Sequence, residues 1–277
     1  MIKSTENILK KLYCDKYDSN LVSYLSLFLY GHIRILLAKD VNQKVVAVHT
    51  WNLLASAENP ISNVWKDALY QMDVPTKVYV HNQLFSLVPG VLYNPDFMNT
   101  YLSFSGGTET DFQSFATSLE TNNYQLIGGL DSRLYQLLSE GKTDIQFHHG
   151  ASSFLAYCLN EKQNLLPQEI FIYLFDKAFY IAAFNKQELV LFNRFEISNK
   201  ESLLNYVFGI TQQLKLDRKH CRFTVFGEIK NYGITQDWGK EYFKNFLLKE
   251  PEINQHYQQG TEAFINTGHF ESHWELI

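Results

Sequence analysis

Asp176-Lys177-Ala178-Phe179 is a segment whose residue types could do chemistry. A carboxylate and an ammonium stand together at the turn between two apolar runs, Phe171–Phe175 and Phe179–Phe184. A carboxylate so placed could hold Mg²⁺, and the lysine could face a phosphate. Phosphate binding at a hairpin also needs glycine, so that backbone N–H groups can approach, and a Ser or Thr hydroxyl. Neither follows Asp176, and the plain reading is a hairpin aspartate. Gly227, in Phe226-Gly227-Glu228, completes the candidate set. Asp176, Lys177 and Gly227 are the residues this sequence offers for lining a ligand cleft between two lobes.

Histidines make a second group. His148-His149-Gly150-Ala151-Ser152-Ser153 places imidazoles beside hydroxyls, as nucleophilic catalysis would. Consecutive strand residues face opposite ways, however, and no GxSxG elbow is present. Ser152 reads as the cap of the next helix. A hydrolase built on His148 or His149 stays an open, weaker alternative. His269 and His273 have i, i+4 metal spacing but no evident third ligand. Ser105-Gly106-Gly107-Thr108 resembles a phosphate loop in composition and lacks its lysine, so it reads as a turn. Gly128-Gly129 reads as a helix-entry turn. No catalytic residue, no metal site and no cofactor is expected.

Composition narrows the field. Hydrophobic residues are 45% and charged residues 19%, enough for a core, and 21 Phe and 17 Tyr suit strands under helices. A net charge of −5 argues against a nucleic-acid partner. Lys215, Arg218, Lys219 and Arg222 cluster at a helix-to-strand turn and read as a solvated helix end. Three cysteines, Cys14, Cys158 and Cys221, form no CxxC and fit a reducing cytoplasm, Cys158 and Cys221 as buried apolar residues. Met1–Asn20 lacks the apolar stretch of a secretory signal. Leu21–Ala38 is interrupted by Gly31, His32 and Arg34, so it reads as a hairpin and no membrane insertion is expected.

The elements that would position these residues occur twice. Strands Leu21–Tyr30, His32–Lys39 and Lys44–Trp51 precede a helix from about Ile61 and a strand Lys77–His81. Strands Glu169–Phe175, Phe179–Asn185 and Glu188–Ile197 precede a helix Lys200–Leu214, capped by Asn199, and a strand Cys221–Gly227. Further helices are predicted from Thr110 or Asp111 through Leu119, over Asp131–Ser139 ended by Gly141, over Ala151–Glu161 after a strand Thr143–His148, and over Thr235–Leu248. Tyr101–Phe104 reads as a short strand. The tail after Pro251 is polar until Phe264 and reads as partly mobile. Pro167 marks a connector, giving domains 1–165 and 166–277.

A meander followed by helix, strand and helix is the layout of an RNase H-like unit, and its duplication is that of the actin, Hsp70 and sugar-kinase superfamily. Active members carry an Asp and a Gly-Ser/Thr turn at the first hairpins, and a paired-glycine adenosine loop late in the second half. Here Leu29-Tyr30-Gly31-His32, Asp176-Lys177-Ala178 and Phe226-Gly227-Glu228 lack those features. Val78–Pro89, Leu189–Phe195, the helix around Ser202–Val207 and Phe223–Ile229 resemble a Bacteroidetes domain-of-unknown-function family over roughly residues 15–250. The resemblance implies a divergent actin-like ATPase fold, similar in outline to the cytoplasmic scaffold proteins of type IV pili and type II secretion, and transfers no catalytic residue.

The expectation is therefore an α/β protein with a duplicated RNase H-like (actin/Hsp70-like) fold. Each of two lobes would hold a five-stranded mixed sheet flanked by helices. The function expected is that of a non-enzymatic, cytoplasmic interaction or scaffold module with a protein partner, and homo-oligomers are allowed. The alternative is a nucleotide-binding protein with non-standard phosphate motifs.

Overall fold

The computed structural model describes residues 9–52, 62–105 and 111–276. The chain forms two compact units. Unit 1 is Met1–Ser152 with Gln255–Phe264, and unit 2 is Ser153–Asn254 with Ile265–Ile277. Along the chain come β1 (Leu9–Tyr13), β2 (Tyr24–Leu29), β3 (Ile33–Lys39), β4 (Lys44–Asn52), α1 (Ser62–Trp65), β5 (Thr76–Val80) and β6 (Phe85–Pro89). Then follow α2 (Met98–Ser103), β7 (Phe112–Leu119), β8 (Tyr124–Asp131), α3 (Ser132–Ser139), β9 (Ile145–His149) and α4 (Ala151–Asn160). The remainder is β10 (Gln168–Phe175), β11 (Ala178–Asn185), β12 (Glu188–Glu196), α5 (Lys200–Gln213), β13 (Arg222–Gly227), α6 (Gln236–Tyr242), β14 (Asn245–Leu248) and β15 (His256–Tyr257).

The sheet of unit 2 runs β12-β11-β10-β13-β14. The main sheet of unit 1 contains the same path as β4-β3-β2-β5-β9. In both, three antiparallel strands form the meander, and two more strands lie parallel to its first. The expected five strands are extended to seven in unit 1. There β1 and β15 both pair with β4, covering an edge that would otherwise expose unpaired N–H and C=O groups. Between β5 and β9, unit 1 also carries a separate sheet, β6-β8-β7, on which Leu102 of α2 packs with Val88 and Ile127.

Period-2 alternation sorts the strands of unit 2 into two buried faces. Ile170, Ile172, Leu174, Phe179, Ile181 and Ala183 meet Leu203, Val207 and Ile210 of α5. The opposite face carries Phe171, Tyr173, Tyr180 and Phe226, which gather with Phe154 of α4 and Phe270 of the tail. Each fully buried aromatic of this kind contributes about 1.5–3 kcal/mol.

Several expectations change. Phe112–Leu119 is a strand, not a helix, because Phe115, Thr117 and Leu119 alternate inward and the whole segment pairs with β8. Thr110 lies outside the described residues, as do Ile61 and Gly106-Gly107-Thr108. The helix expected after Ile61 is the single turn α1. Tyr101–Phe104 belongs to α2 and the turn closing it. Gly128 and Gly129 lie inside β8, where β-carbons would meet the Phe115 ring at 2.5 Å and the Leu84 side chain at 2.4 Å. The helix from Gln236 stops at Tyr242, and β14 takes up the rest, since Phe246 packs inward beside Phe223 and Phe243. Ser152 sits within α4, with its hydroxyl buried and unpartnered, and caps nothing. The tail is packed: Phe264, Phe270, Glu271 and Ser272 are all buried.

Candidate functional site

Open α/β sheets bind ligands beyond the carboxyl ends of their parallel strands. In unit 1 these ends are plugged. Tyr30, after β2, stacks on His81, after β5, with ring centres 4.1 Å apart. Gly150, after β9, presses so close to the His81 ring that a β-carbon there would stand 2.2 Å from it. Arg34 donates to the carbonyls of Tyr30 and Ile33, so this hairpin's own side chain occupies its backbone acceptors. His148 and His149 do face opposite ways. His148 Nδ1 meets Thr117 Oγ1 at 2.9 Å, and His149 Nε2 lies 3.2 Å from the Asn82 oxygens.

Unit 2 differs. Of its candidate residues, Asp176 and Lys177 follow β10 and Gly227 ends β13, the parallel strand beside it. Asp176 and Lys177 form a two-residue turn with φ of 33° and 62°, the left-handed geometry that matches strand twist in a hairpin. Gly227 has φ 95°, and a β-carbon there would stand 2.1 Å from the Leu174 carbonyl oxygen. Beside it the Glu228 N–H donates to that same oxygen at 3.0 Å. Burial raises the Glu228 carboxyl above its ordinary value and the nearby Asp176 charge adds to this, while the Asn231 amide and the Asp176 N–H oppose it.

A cavity of about 560 Å³ opens beyond β13 and β14. Gly227, Glu228, Lys249, Glu250 and the tail residues His269 and His273 line it. Sequence reasoning missed the tail's part in this site, because its residues lie some forty positions beyond Gly227 with no local signal linking them. His269 Nδ1 is 3.7 Å from Glu228 Oε1, beyond hydrogen-bonding distance. Burial holds that imidazole neutral, with its pKa pushed down to about 4. His273 Nε2 meets Glu250 Oε2 at 3.2 Å. The two histidines are thus separately engaged, and among the described residues no three His, Cys, Asp or Glu side chains gather as a metal site requires.

A second surface feature is apolar. In the stretch between β6 and β7, Val91 is 94% and Phe104 81% exposed, and Leu92 and Phe97 are more than half exposed. Tyr101 joins the two parts of this stretch, its hydroxyl donating to the Leu92 carbonyl and accepting from the Asn94 N–H. Phe97, Tyr101 and Phe104 follow i, i+4, i+7 spacing along α2 and its caps, which puts them on one helical face.

The fold has counterparts among known proteins. A Bacteroides thetaiotaomicron protein with an actin-like ATPase fold and unknown function superposes with a TM-score of 0.75 at 14% identity, over 83% of this chain and 91% of that one. A chain of the PilM-PilN type IV pilus biogenesis complex superposes with a TM-score of 0.57 at 11% identity, over 91% and 96%. No curated protein matches the sequence. Residues 34–246 match the family described as "Protein of unknown function (DUF3822)". With that match spanning most of its length, the chain belongs to the DUF3822 family, and its fold is that of the actin-like ATPases.

Proposed function

We propose that this protein is a non-enzymatic interaction or scaffold module that acts in the cytoplasm through a protein partner, its lobes divided near residue 165. The observation that carries this reading is the exposed apolar stretch Val91, Leu92, Phe97 and Phe104. Large apolar side chains exposed together within one short stretch of chain mark a candidate interaction site. The plugged strand ends of unit 1 support the loss of phosphate chemistry. The PilM-PilN complex offers a precedent in the same fold for engagement of a protein. No helix of the described residues is long and apolar enough to cross a membrane. Isothermal titration with Mg-ATP and Mg-ADP tests the non-enzymatic part: no binding heat is expected, and micromolar binding with turnover overturns it. Affinity purification with mass spectrometry, comparing the wild type with a Phe97→Ser, Phe104→Ser double variant, tests the surface. A partner captured by the wild type and lost by the variant is expected; equal capture by both removes the stretch from the reading.

The cavity of unit 2 favours a second reading. Its volume lies in the range of small-molecule sites, about 300–1,000 Å³; Gly227 and Glu228 line it, and the Asp176 backbone meets Glu228. A nucleotide held there without standard phosphate motifs would raise the melting temperature as concentration rises. No thermal shift with any nucleotide sinks this reading.

A further inference from the structure

Asp67, His49 and Tyr13 form a hydrogen-bonded relay in unit 1 that ends at the protein surface. His49 lies on β4 and Tyr13 on the neighbouring β1, while Asp67 follows α1. Both Asp67 carboxylate oxygens are 3.0 Å from His49 Nδ1. His49 Nε2 is 2.9 Å from the Tyr13 hydroxyl. The Leu69 N–H donates to Asp67 Oδ1 at 3.0 Å, and Lys11 Nζ stands 3.3 Å from Oδ2. Burial alone would raise the Asp67 carboxyl. The His49 bond, the Leu69 amide and Lys11 outweigh it, so the group is held below its ordinary value and is ionised.

The proton positions follow from these partners. An ionised carboxylate only accepts, so His49 carries its proton on Nδ1. In the neutral imidazole so oriented, Nε2 presents its lone pair to Tyr13, whose O–H then donates to it at 2.9 Å. This is the connectivity of a carboxylate, an imidazole base and a hydroxyl nucleophile, with a phenol in the last place. Burial is graded along it. His49 and Asp67 are buried, and Tyr13 is 39% exposed. The Trp51 ring meets the imidazole edge-on, and Tyr17 packs against Tyr13 with ring centres 4.7 Å apart, which fixes both reacting rings. β1 is already held to β4 by a five-pair ladder, so the relay is not needed to seat the strand.

We propose that Tyr13 is an activated nucleophile that accepts a tetrahedral phosphoryl- or sulfonyl-type group from a donor carrying a leaving group. The Tyr13 oxygen attacks phosphorus or sulfur, and the bond to the leaving group breaks with its electron pair. The phenol proton passes to His49 Nε2, and Asp67 stabilises the resulting imidazolium. The product is an aryl ester of Tyr13, with no change of oxidation state.

Benzenesulfonyl fluoride at neutral pH tests this on the full chain, with peptide mass spectrometry following each tyrosine over time. Tyr206, 40% exposed and stacked on Phe195, is an internal control of equal accessibility. General-base assistance is worth about 10²–10⁴-fold, so Tyr13 is expected to be modified at least about tenfold faster than Tyr206. His49→Gln and Asp67→Asn should bring the Tyr13 rate toward that of Tyr206 and leave the Tyr206 rate unchanged. Equal rates at Tyr13 and Tyr206 in the unmutated protein overturn the proposal, a comparison that requires no variant to fold. An unchanged Tyr13 rate in folded His49→Gln overturns it as well.

Discussion

Arg222 clamps Glu169 from the neighbouring strand. The two residues are register partners on parallel β13 and β10. Arg222 Nε donates to Glu169 Oε1 at 2.5 Å and Nη2 to Oε2 at 2.6 Å, while the Leu166 N–H donates to Oε2 at 3.1 Å. Glu169 is fully buried. Arg222 is therefore not part of a solvated helix end, as its grouping with Lys215, Arg218 and Lys219 implied. Removing one partner of such a pair leaves a buried charge uncompensated, at a cost of about 3–5 kcal/mol. Arg222→Ala should lose about 3 kcal/mol in urea unfolding. A loss below about 1 kcal/mol contradicts this.

The same buried carboxylate bears on the thiols. Burial raises the Cys158 thiol well above its ordinary value, with Glu169 adding to it. Burial, then Glu169 and Asp217, push Cys221 up to about 12. Only the thiolate is nucleophilic. Neither residue should react with iodoacetamide at pH 8 in the native protein, and both should in urea. Rapid native alkylation of either contradicts the burial seen here.

Gly227 is constrained twice, by its φ of 95° and by the Leu174 carbonyl oxygen and Tyr173 ring that occupy the place of a β-carbon. Gly227→Ala should cost about 2–4 kcal/mol through strain and displacement. Calorimetry showing an unchanged melting temperature would rule out both constraints.

His269 predicts a pH dependence. Its imidazole titrates near 6.5 in the unfolded chain and near 4 in the fold, where burial opposes the charge and Asp176 only partly offsets that. The unfolded state thus binds more protons across this window, and stability falls as pH drops from about 6.5 toward 4. From pH 7 to 5 the loss is about 2 kcal/mol. Glu228 acts in the opposite sense. Burial raises its carboxyl above 4.5, so the fold favours its protonated form, and its contribution is lost as pH rises through that raised value. Comparing unfolding of the wild type and His269→Gln at the two pH values isolates the histidine. Equal losses in both proteins would show that His269 is not buried neutral.

Local signals in the sequence carried well. Asn199 receives the Ser202 N–H, and Ser202 returns the bond in a capping box. Asp131 caps α3 through the Leu134 N–H, and Gly141 follows that helix with φ 75°. Long-range pairing did not carry. Phe112 and Phe115, at i, i+3, share a face only in a helix; in the strand that forms they face opposite ways, Phe115 into the main core of unit 1 and Phe112 onto the cluster of Val88 and Ile127, and pairing with β8 decides it. The tail looked polar because its anchors are sparse. Phe270 enters the aromatic face of unit 2, and Glu271 accepts from the Tyr173 hydroxyl at 2.9 Å, ninety-eight positions away. That Asp176 and Gly227 stand at the same end of neighbouring parallel strands was legible from the repeated strand order. The relay through Tyr13, His49 and Asp67 joins positions 18 and 36 residues apart and has no local pattern to betray it.

The repeated sheet path leaves its two meander edges in different states. On β4 the edge is covered by β1 and β15. On β12 the edge is terminal among the described strands and half-exposed along its length. A terminal strand of this length is a template on which another chain could add, the first step toward aggregation. Here β12 carries a bulge where the register slips between Ala183 and Phe184, leaving exposed Val190 out of step. Glu188, Arg194 and Glu196 place charges on either side of it. Burial of the edge in one half and distortion plus charge in the other are two solutions to the same colloidal hazard, and the second depends on a few surface side chains.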